Sequence, residues 1–173
     1  MDGGPVAGLG DPTMAAALRS RTRLPVIAAP MFLISGPDLV IAACRAGIIG
    51  AFPATNAREL SDLDGWCERI TLEVSRSDAP WAMNLILHST YQRTAAELER
   101  VARFQPPIVI TALGSPRNAL PVVHGYSGLV FADVVDLLQA RKAVDPAPNV
   151  PSLMSRVRSP YAPAWGGLQR LLG

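Results

Sequence analysis

The stretch PVIAAPMFLISGPDLVIAACRAGIIGAF, residues 25–52, decides the fold of this chain. The short apolar run Pro25–Ala29 predicts a buried strand. A segment with apolar residues at helical spacing follows, and we expect Ser35 to cap it and Gly47 to end it. A second apolar run covers residues 48–52. Strand, helix and strand in this order predict one βαβ unit with parallel strands.

The same alternation continues to about residue 144. Three more strands are predicted over residues 81–87, 108–113 and 129–132. Asn56 and Glu59 have the spacing of a capping box at the start of the helix that precedes the third strand. A last helix is predicted from about Val135 to Val144. Five βα units predict an α/β fold with a parallel sheet.

Composition excludes several classes of protein. The 173 residues are 49% hydrophobic and 17% charged, with a formal net charge of +2 and no run of five basic residues, so we expect no nucleic-acid partner. The N-terminus lacks the pattern of a secretory signal, and charged residues, prolines and glycines interrupt the apolar stretch 24–51, so we expect no membrane span and a cytoplasmic location. Cys44 and Cys67 lie in apolar helical patterns and are predicted to be buried, reduced thiols.

Residues 145–173 depart from the repeating pattern. They contain no strand-like run, hold five of the 16 prolines and carry the whole net charge. Such a shift is typical of a flexible extension or of a segment outside the parent reading frame, and the aromatic residues and leucines near its end favour the second. We therefore divide the chain into an N-terminal extension (1–24), a partial barrel (25–144) and an irregular, frame-shifted tail (145–173). An eight-unit barrel typically needs about 250 residues.

The positions that follow the predicted strands carry small and neutral polar groups. In parallel α/β sheets and barrels, ligands bind at this edge. The candidate positions are Ala29, Pro30 and Met31 after the first strand, Asn84 within the third, His88 after the third and Asp133 after the fifth. Such a set has little formal charge and suits a planar heterocycle held by backbone hydrogen bonds and apolar contacts. We predict no metal site.

Four segments resemble, in order and spacing, the nitronate monooxygenases, which are also called 2-nitropropane dioxygenase-like proteins. They are Pro25–Phe32, Met83–His88, Ile110–Ser115 and Val123–Asp133. The resemblance covers about residues 24–144 and implies the N-terminal part of an FMN-type TIM (β/α)8 barrel that is incomplete in this chain, with about five βα units before the tail. It also implies a flavoprotein oxidoreductase that converts an alkyl nitronate and O2 into a carbonyl compound and nitrite.

The resemblance assigns several residues to the flavin. Ala29, Pro30 and Met31 match the segment whose backbone packs on the flavin ring and hydrogen-bonds it, although a proline can simply end a strand and a methionine can simply fill a core. Asn84 matches an asparagine whose amide reaches the flavin or its ribityl chain, while a structural partner for a buried amide is the alternative. Asp133 falls where some relatives carry a lysine near the flavin.

Two histidines are present, and neither matches the family's catalytic base. His88 follows a strand and is the substrate-side candidate, with a structural imidazole as the alternative; His124 precedes a strand and is expected to be structural. The family uses a histidine in a Gly-Gly-His turn after the sixth strand, and no histidine follows His124. The family's phosphate-binding loops follow roughly strands 7 and 8. We therefore assign no catalytic residue and expect no stoichiometric FMN to be retained.

These observations predict an FMN-dependent nitronate monooxygenase in a truncated form. A flavin-dependent enoyl-acyl-carrier-protein reductase of the same barrel superfamily, which would need a nicotinamide donor, is one alternative. A gene fragment without catalytic activity is the other. The expected partners are a small nitronate or nitroalkane and O2, and the open edges of a five-stranded sheet predict self-association.

Overall fold

Five parallel strands form one sheet in the computed structural model, which describes residues 12–134. The strands are β1 (Ile27–Ala28), β2 (Ile49–Pro53), β3 (Trp81–Ile86), β4 (Ile108–Ala112) and β5 (Leu129–Ala132). The helices are α1 (Pro12–Arg21), α2 (Pro37–Arg45), α3 (Leu60–Glu73), α4 (Thr94–Phe104) and α5 (Leu120–His124), with 3-10 turns at Ala54–Asn56 and Pro116–Asn118. The sheet order is β1-β2-β3-β4-β5. The predicted α/β class with parallel strands is confirmed.

Alternation along the strands divides the sheet into two apolar faces. On the outer face, residues such as Phe52, Met83 and Val109 pack with the apolar sides of the helices. On the inner face, a second cluster of buried residues joins all strands from β2 to β5: Ile49, Ala51, Ala82, Ile108, Ile110, Leu129 and Phe131. Strands β2 to β5 are therefore buried on both faces, which explains why their sequences are continuous apolar runs. Strand β1 was predicted to be buried, but it lies at the sheet edge and its two residues are only partly buried.

Helix α1 lies in the segment that the sequence analysis treated as an extension, and that analysis did not predict it. It begins at Pro12, and the residues after Thr13 are Met-Ala-Ala-Ala-Leu, which have high helix propensity. Leu18 packs against the inner-face cluster. Arg21 donates a hydrogen bond from Nη2 to the Asp78 carbonyl oxygen at 3.1 Å. Helix α1 is thus part of the fold.

Two predicted helix caps were wrong. The cap of α2 is Gly36, with no side-chain hydrogen bond, because the Ser35 hydroxyl group bonds the loop before it. At the start of α3, the Glu59 N–H donates to Asp62 Oδ2 at 3.2 Å, so the capping box uses Glu59 and Asp62. The Asn56 side chain instead bonds the loop after β1. Both polar side chains hold a loop where the sequence pattern had predicted a cap.

Several predictions fall outside the described residues. The helix expected over 135–144 and the irregular tail over 145–173 both belong to this part of the chain. Strand β1 is shorter than predicted, with two residues, although the Ile49 N–H also bonds the Val26 carbonyl oxygen at 3.0 Å. Between residues 12 and 134, no helix is both long and apolar enough to span a bilayer.

The two cysteines are free thiols, fully buried between the sheet and its helices. This confirms the prediction of buried, reduced side chains. Burial raises the pKa of both thiols, and it raises that of Cys67 to about 12, where the nearby Asp64 and Glu68 carboxylates act in the same direction. Neither thiol is therefore expected to react in the folded chain.

We expect iodoacetamide at pH 8 to alkylate Cys67 in the folded chain at least about 100-fold more slowly than in urea, because the thiolate is scarce and buried. Mass spectrometry after timed quenching measures both rates in one sample. A Cys44→Ala variant isolates the signal of Cys67. Equal labelling rates with and without urea would contradict the burial of this helix face.

Candidate functional site

The carboxyl ends of the five strands meet at one edge of the sheet, which we call the rim. The loops of residues 29–36, 54–59, 87–93 and 113–119 leave β1 to β4 there, and Asp133 follows β5. Of the predicted flavin-site residues, Ala29, Pro30, Met31 and Asp133 lie at the rim, and Asn84 lies within β3, two residues before its end. His124 ends α5, just before β5 begins, and is exposed away from the rim.

The loop after β1 has a conformation that its own hydrogen bonds define. The buried Ser35 hydroxyl accepts from the Met31 N–H at 2.9 Å and donates to the Ala29 carbonyl oxygen at 3.3 Å. The Ile34 and Ser35 N–H groups both donate to the Met31 carbonyl oxygen, at 3.2 and 3.0 Å. The polar backbone groups of Met31 are therefore satisfied within the loop, so its N–H is not free for a flavin.

Asn56, which the sequence analysis assigned to a helix cap, joins this loop to the loop after β2. Its Nδ2 donates to the Met31 and Ser35 carbonyl oxygens at 2.9 and 2.8 Å. Its Oδ1 accepts from the Leu33 N–H at 2.9 Å. The loop displays four large apolar side chains at the rim, with exposed fractions of 40% for Met31, 66% for Phe32, 76% for Leu33 and 68% for Ile34.

Asn84 lies on the inner face, two residues after Ala82 on β3. The strand register aligns it with Pro53 of β2 and Ile110 of β4. Its Nδ2 donates to the Ile110 carbonyl oxygen at 3.1 Å, so the amide has a structural partner. Its Oδ1 and its second N–H make no hydrogen bond with any described residue. The side chain can thus be held by β4 and still offer one acceptor and one donor to a ligand.

Asp133 continues the register of β5 beyond the strand end. Its N–H donates to the Thr111 carbonyl oxygen at 2.7 Å, and its side chain is half-buried. By alternation from Phe131, it belongs to the inner side of the rim. The carboxylate therefore lies on the same side of the sheet as the Asn84 amide.

His88 is exposed, and its loop fixes the ring. Nδ1 accepts from the Thr90 N–H at 3.3 Å and lies 2.8 Å from the Thr90 hydroxyl oxygen. Because a backbone N–H bonds Nδ1, the proton of the neutral imidazole is on Nε2. The ring then presents a donor to solvent, while a general base needs a free acceptor. This geometry favours the structural interpretation of His88.

A buried ionic cluster supports the same rim, and the sequence analysis missed it. Glu97 of α4 is 0% exposed; it accepts from the Tyr91 hydroxyl at 2.6 Å and lies 3.3 Å from Arg93 Nε. Arg93 Nη1 donates to the Ala57 and Arg58 carbonyl oxygens at 2.9 and 3.0 Å, which ties the loop after β2 to the loop after β3. A glutamate at an apolar position of the α4 pattern, four residues after an arginine, was the signal in the sequence.

Burial dominates the titration of this cluster. It raises the pKa of Glu97 above the usual value, against the opposing effects of the Tyr91 hydrogen bond and the Arg93 charge. The pKa of Tyr91 is also raised by burial and by its bond to Glu97. Glu97 Oε2 has no partner among the described residues. The cluster thus contains a buried carboxyl group, that of Glu97, whose pKa is above that of exposed glutamates.

The loop after β4 is packed against the loop after β3. The Leu87 N–H donates to the Ala112 carbonyl oxygen at 2.9 Å. A Cβ atom at Gly114 would collide with the backbone of Leu87, so only glycine fits at this close approach. Neighbouring rim loops are therefore held in fixed relation from β1 to β4.

Comparison with known proteins shows the fold of the chain. No family model and no curated protein matches it. Among solved structures, FabK from Thermotoga maritima aligns with a TM-score of 0.66 and 18% identity, over 79% of this chain and 42% of that chain. The enoyl reductase domain of MlnA, from the macrolactin biosynthesis cluster of Bacillus amyloliquefaciens, aligns with a TM-score of 0.62 and 17% identity, over 76% of this chain and 33% of that chain.

At these identities the likeness shows the fold alone. The described residues have the α/β arrangement of one part of a TIM barrel, as the sequence predicted. The chain spans less than half the length of either neighbour.

We expect the contribution of Glu97 to stability to fall as the pH rises. Its pKa is raised in the folded chain, so its contribution is complete below the pKa of an unfolded glutamate, near 4.3, and is lost as the pH rises through the folded value. The loss is about 1.4 kcal/mol for each unit by which the pKa is raised. Urea unfolding of the wild type and of Glu97→Gln at pH 4 to 8 measures this loss. The free energy of unfolding of the wild type minus that of the variant should decrease as the pH rises.

Glu99→Gln is the matched control, since Glu99 is exposed on the same helix. If the free energy of unfolding of the wild type minus that of Glu97→Gln instead increases with pH, the Arg93 charge has a larger effect on the pKa of Glu97 than burial has.

Proposed function

We propose that the rim binds the ring of FMN and that this chain supplies the ring side of a flavin-dependent oxidoreductase. The observation that carries the proposal is a coincidence of position. The residues that the family resemblance assigns to the flavin, Ala29–Met31, Asn84 and Asp133, belong to one edge of the sheet, after β1, near the end of β3 and after β5. Ligands of parallel α/β folds bind at this edge.

The groups at the rim fit the polar edge of a flavin ring. That edge presents hydrogen-bond acceptors and one N–H, and Asn84 has one donor and one acceptor to spare. The Pro30 carbonyl oxygen and the Phe32 N–H have no partner within the described residues. The exposed apolar side chains of Phe32 and Ile34 offer contact area to a ring face. When bound, FMN would supply the redox chemistry, and these residues would hold and orient it.

Oxidation of an alkyl nitronate by O2, yielding a carbonyl compound and nitrite, is the reaction we propose for the whole protein. The four motifs over residues 24–144 support it. Reduction of an enoyl thioester with a nicotinamide donor is the second candidate, and the likeness to the MlnA enoyl reductase domain favours it. Nitrite release from a nitroalkane, measured beside NADH consumption, separates the two in a longer form of the protein that carries further barrel units.

The base for either reaction is not assigned to this chain. His88 keeps Nδ1 engaged with Thr90, and the family resemblance implies a base after a sixth strand. A small nitronate or nitroalkane and O2 are the proposed small-molecule partners. A second copy of the chain is the proposed macromolecular partner, since within residues 12–134 the outer edges of β1 and β5 are unpaired.

Because the described residues offer groups for the ring, we expect chain 1–173 to bind riboflavin about as tightly as FMN, within threefold. The ring system contributes about 18 heavy atoms, and about 0.3 kcal/mol per atom gives a Kd on the order of 0.1 mM. Quenching of flavin fluorescence measures both constants. Asn84→Ala should weaken binding by about fivefold, the loss of one hydrogen bond worth about 1 kcal/mol. Asn118→Ala, an exposed asparagine at the rim, should not.

FMN binding more than tenfold tighter than riboflavin binding would show that this chain also holds the phosphate. If the chain quenches the fluorescence of neither flavin at 1 mM, about ten times the expected Kd, the proposed ring site is overturned.

A further inference from the structure

We propose that Asn56 is a positioning residue, which fixes the loop after β1 so that the Phe32 N–H is the donor offered to the flavin ring. The inference rests on the proposed function and gives Asn56 and the Phe32 N–H a role toward the flavin that neither the motif pattern nor the resemblance assigned. Its basis is the hydrogen-bond pattern of residues 29–35.

Asn56 uses both ends of its amide on a segment more than twenty residues away in sequence. Nδ2 bonds the Met31 and Ser35 carbonyl oxygens, and Oδ1 bonds the Leu33 N–H, all at 2.8 to 2.9 Å. No requirement of its own 3-10 turn accounts for these three bonds, since that turn ends on the backbone bond from Ala57 to Ala54. The Asn56 side chain therefore determines the shape of the β1 loop.

In the central part of the loop, this shape leaves one backbone donor without a partner. Between residues 30 and 35, the Met31 N–H bonds Ser35 Oγ, the Leu33 N–H bonds Asn56 Oδ1, and the Ile34 and Ser35 N–H groups bond the Met31 carbonyl oxygen. Pro30 has no N–H. Within the part of the chain that the structure describes, Phe32 is the one residue between positions 30 and 35 whose N–H has no partner. A flavin edge rich in acceptors requires such a group.

The loop is held in a conformation that it would not keep alone. Leu33 has a φ of +62°, in the left-handed region that a leucine rarely adopts. The bond from its N–H to Asn56 Oδ1 stabilises this conformation. A strained residue held by surrounding bonds at a ligand edge is typical of a preorganised binding loop.

The support of Asn56 is itself rigid. Arg93 bonds the carbonyl oxygens of Ala57 and Arg58, which follow Asn56 directly, and Arg93 lies against the buried carboxylate of Glu97. The loop after β3 therefore holds the loop that carries Asn56. Asn56 then acts on the β1 loop from a fixed position.

Asn56→Ala, Asn56→Asp and the matched control Asn118→Ala, each in chain 1–173, test the inference. Asn118 also ends a 3-10 turn at the rim, is exposed and has no hydrogen bond among the described residues. The readouts are the riboflavin Kd, the Leu33 amide exchange rate and the thermal midpoint. We expect Asn56→Ala to raise the Kd by about tenfold and to accelerate Leu33 exchange. Asn118→Ala should change neither.

Asn56→Asp separates the two ends of the amide. Its Oδ1 can still accept from the Leu33 N–H, whereas both bonds to carbonyl oxygens are lost. We expect Leu33 protection to be kept in part and riboflavin binding to weaken. If Asn56→Ala frees the Leu33 amide but binds riboflavin like the wild type, the positioning role is overturned.

A measurement on the unmodified chain does not depend on the folding of any variant. Saturating riboflavin should slow exchange of the Phe32 amide by about tenfold or more and leave the Leu33 amide unchanged. Riboflavin that binds without protecting Phe32 would overturn the inference alone. If the wild-type chain binds no riboflavin, the proposed function fails first, and this inference fails with it.

Discussion

The parallel register of β2, β3, β4 and β5 is the constraint on which the proposed site depends. It aligns Pro53, Asn84, Ile110 and Phe131 in one row across the sheet. A shift of one residue in β3 would move Asn84 from the inner face to the outer face, into the helix layer. The apolar clusters on both faces oppose such a shift. Each side chain of β3 would move to the cluster on the opposite face, whose packing does not match its size and shape.

At the rim, single contacts hold each loop against its neighbour. Asn56 of the second loop holds the first loop, Arg93 of the third holds the second, and Gly114 of the fourth fits against Leu87 of the third. The loops thus have little freedom to move independently, although four large apolar side chains of the first loop are exposed. Such a rim can present backbone groups to a planar ligand without first paying the entropy of ordering a loop.

The strands could be predicted because buried parallel strands are continuous apolar runs, and Cys44 and Cys67 followed from helical spacing. The loop contacts could not. Asn56 and Ser35 have the residue types and spacing of helix caps, and only the distance in space to the β1 loop shows their other use. Helix α1 lacks the one-sided apolar pattern that marks a surface helix, and Glu97 lies buried because Tyr91 and Arg93 partner it.

The most direct measurement is a set of intermolecular nuclear Overhauser effects between riboflavin and isotope-labelled chain 1–173. The account predicts contacts from flavin ring protons to the Asn84 side-chain amide and to Phe32, both at the carboxyl ends of the strands. It predicts none to the Tyr126 ring, which lies near Pro106 at the opposite ends. Contacts to Tyr126 without contacts to Asn84 would contradict a flavin site at the rim.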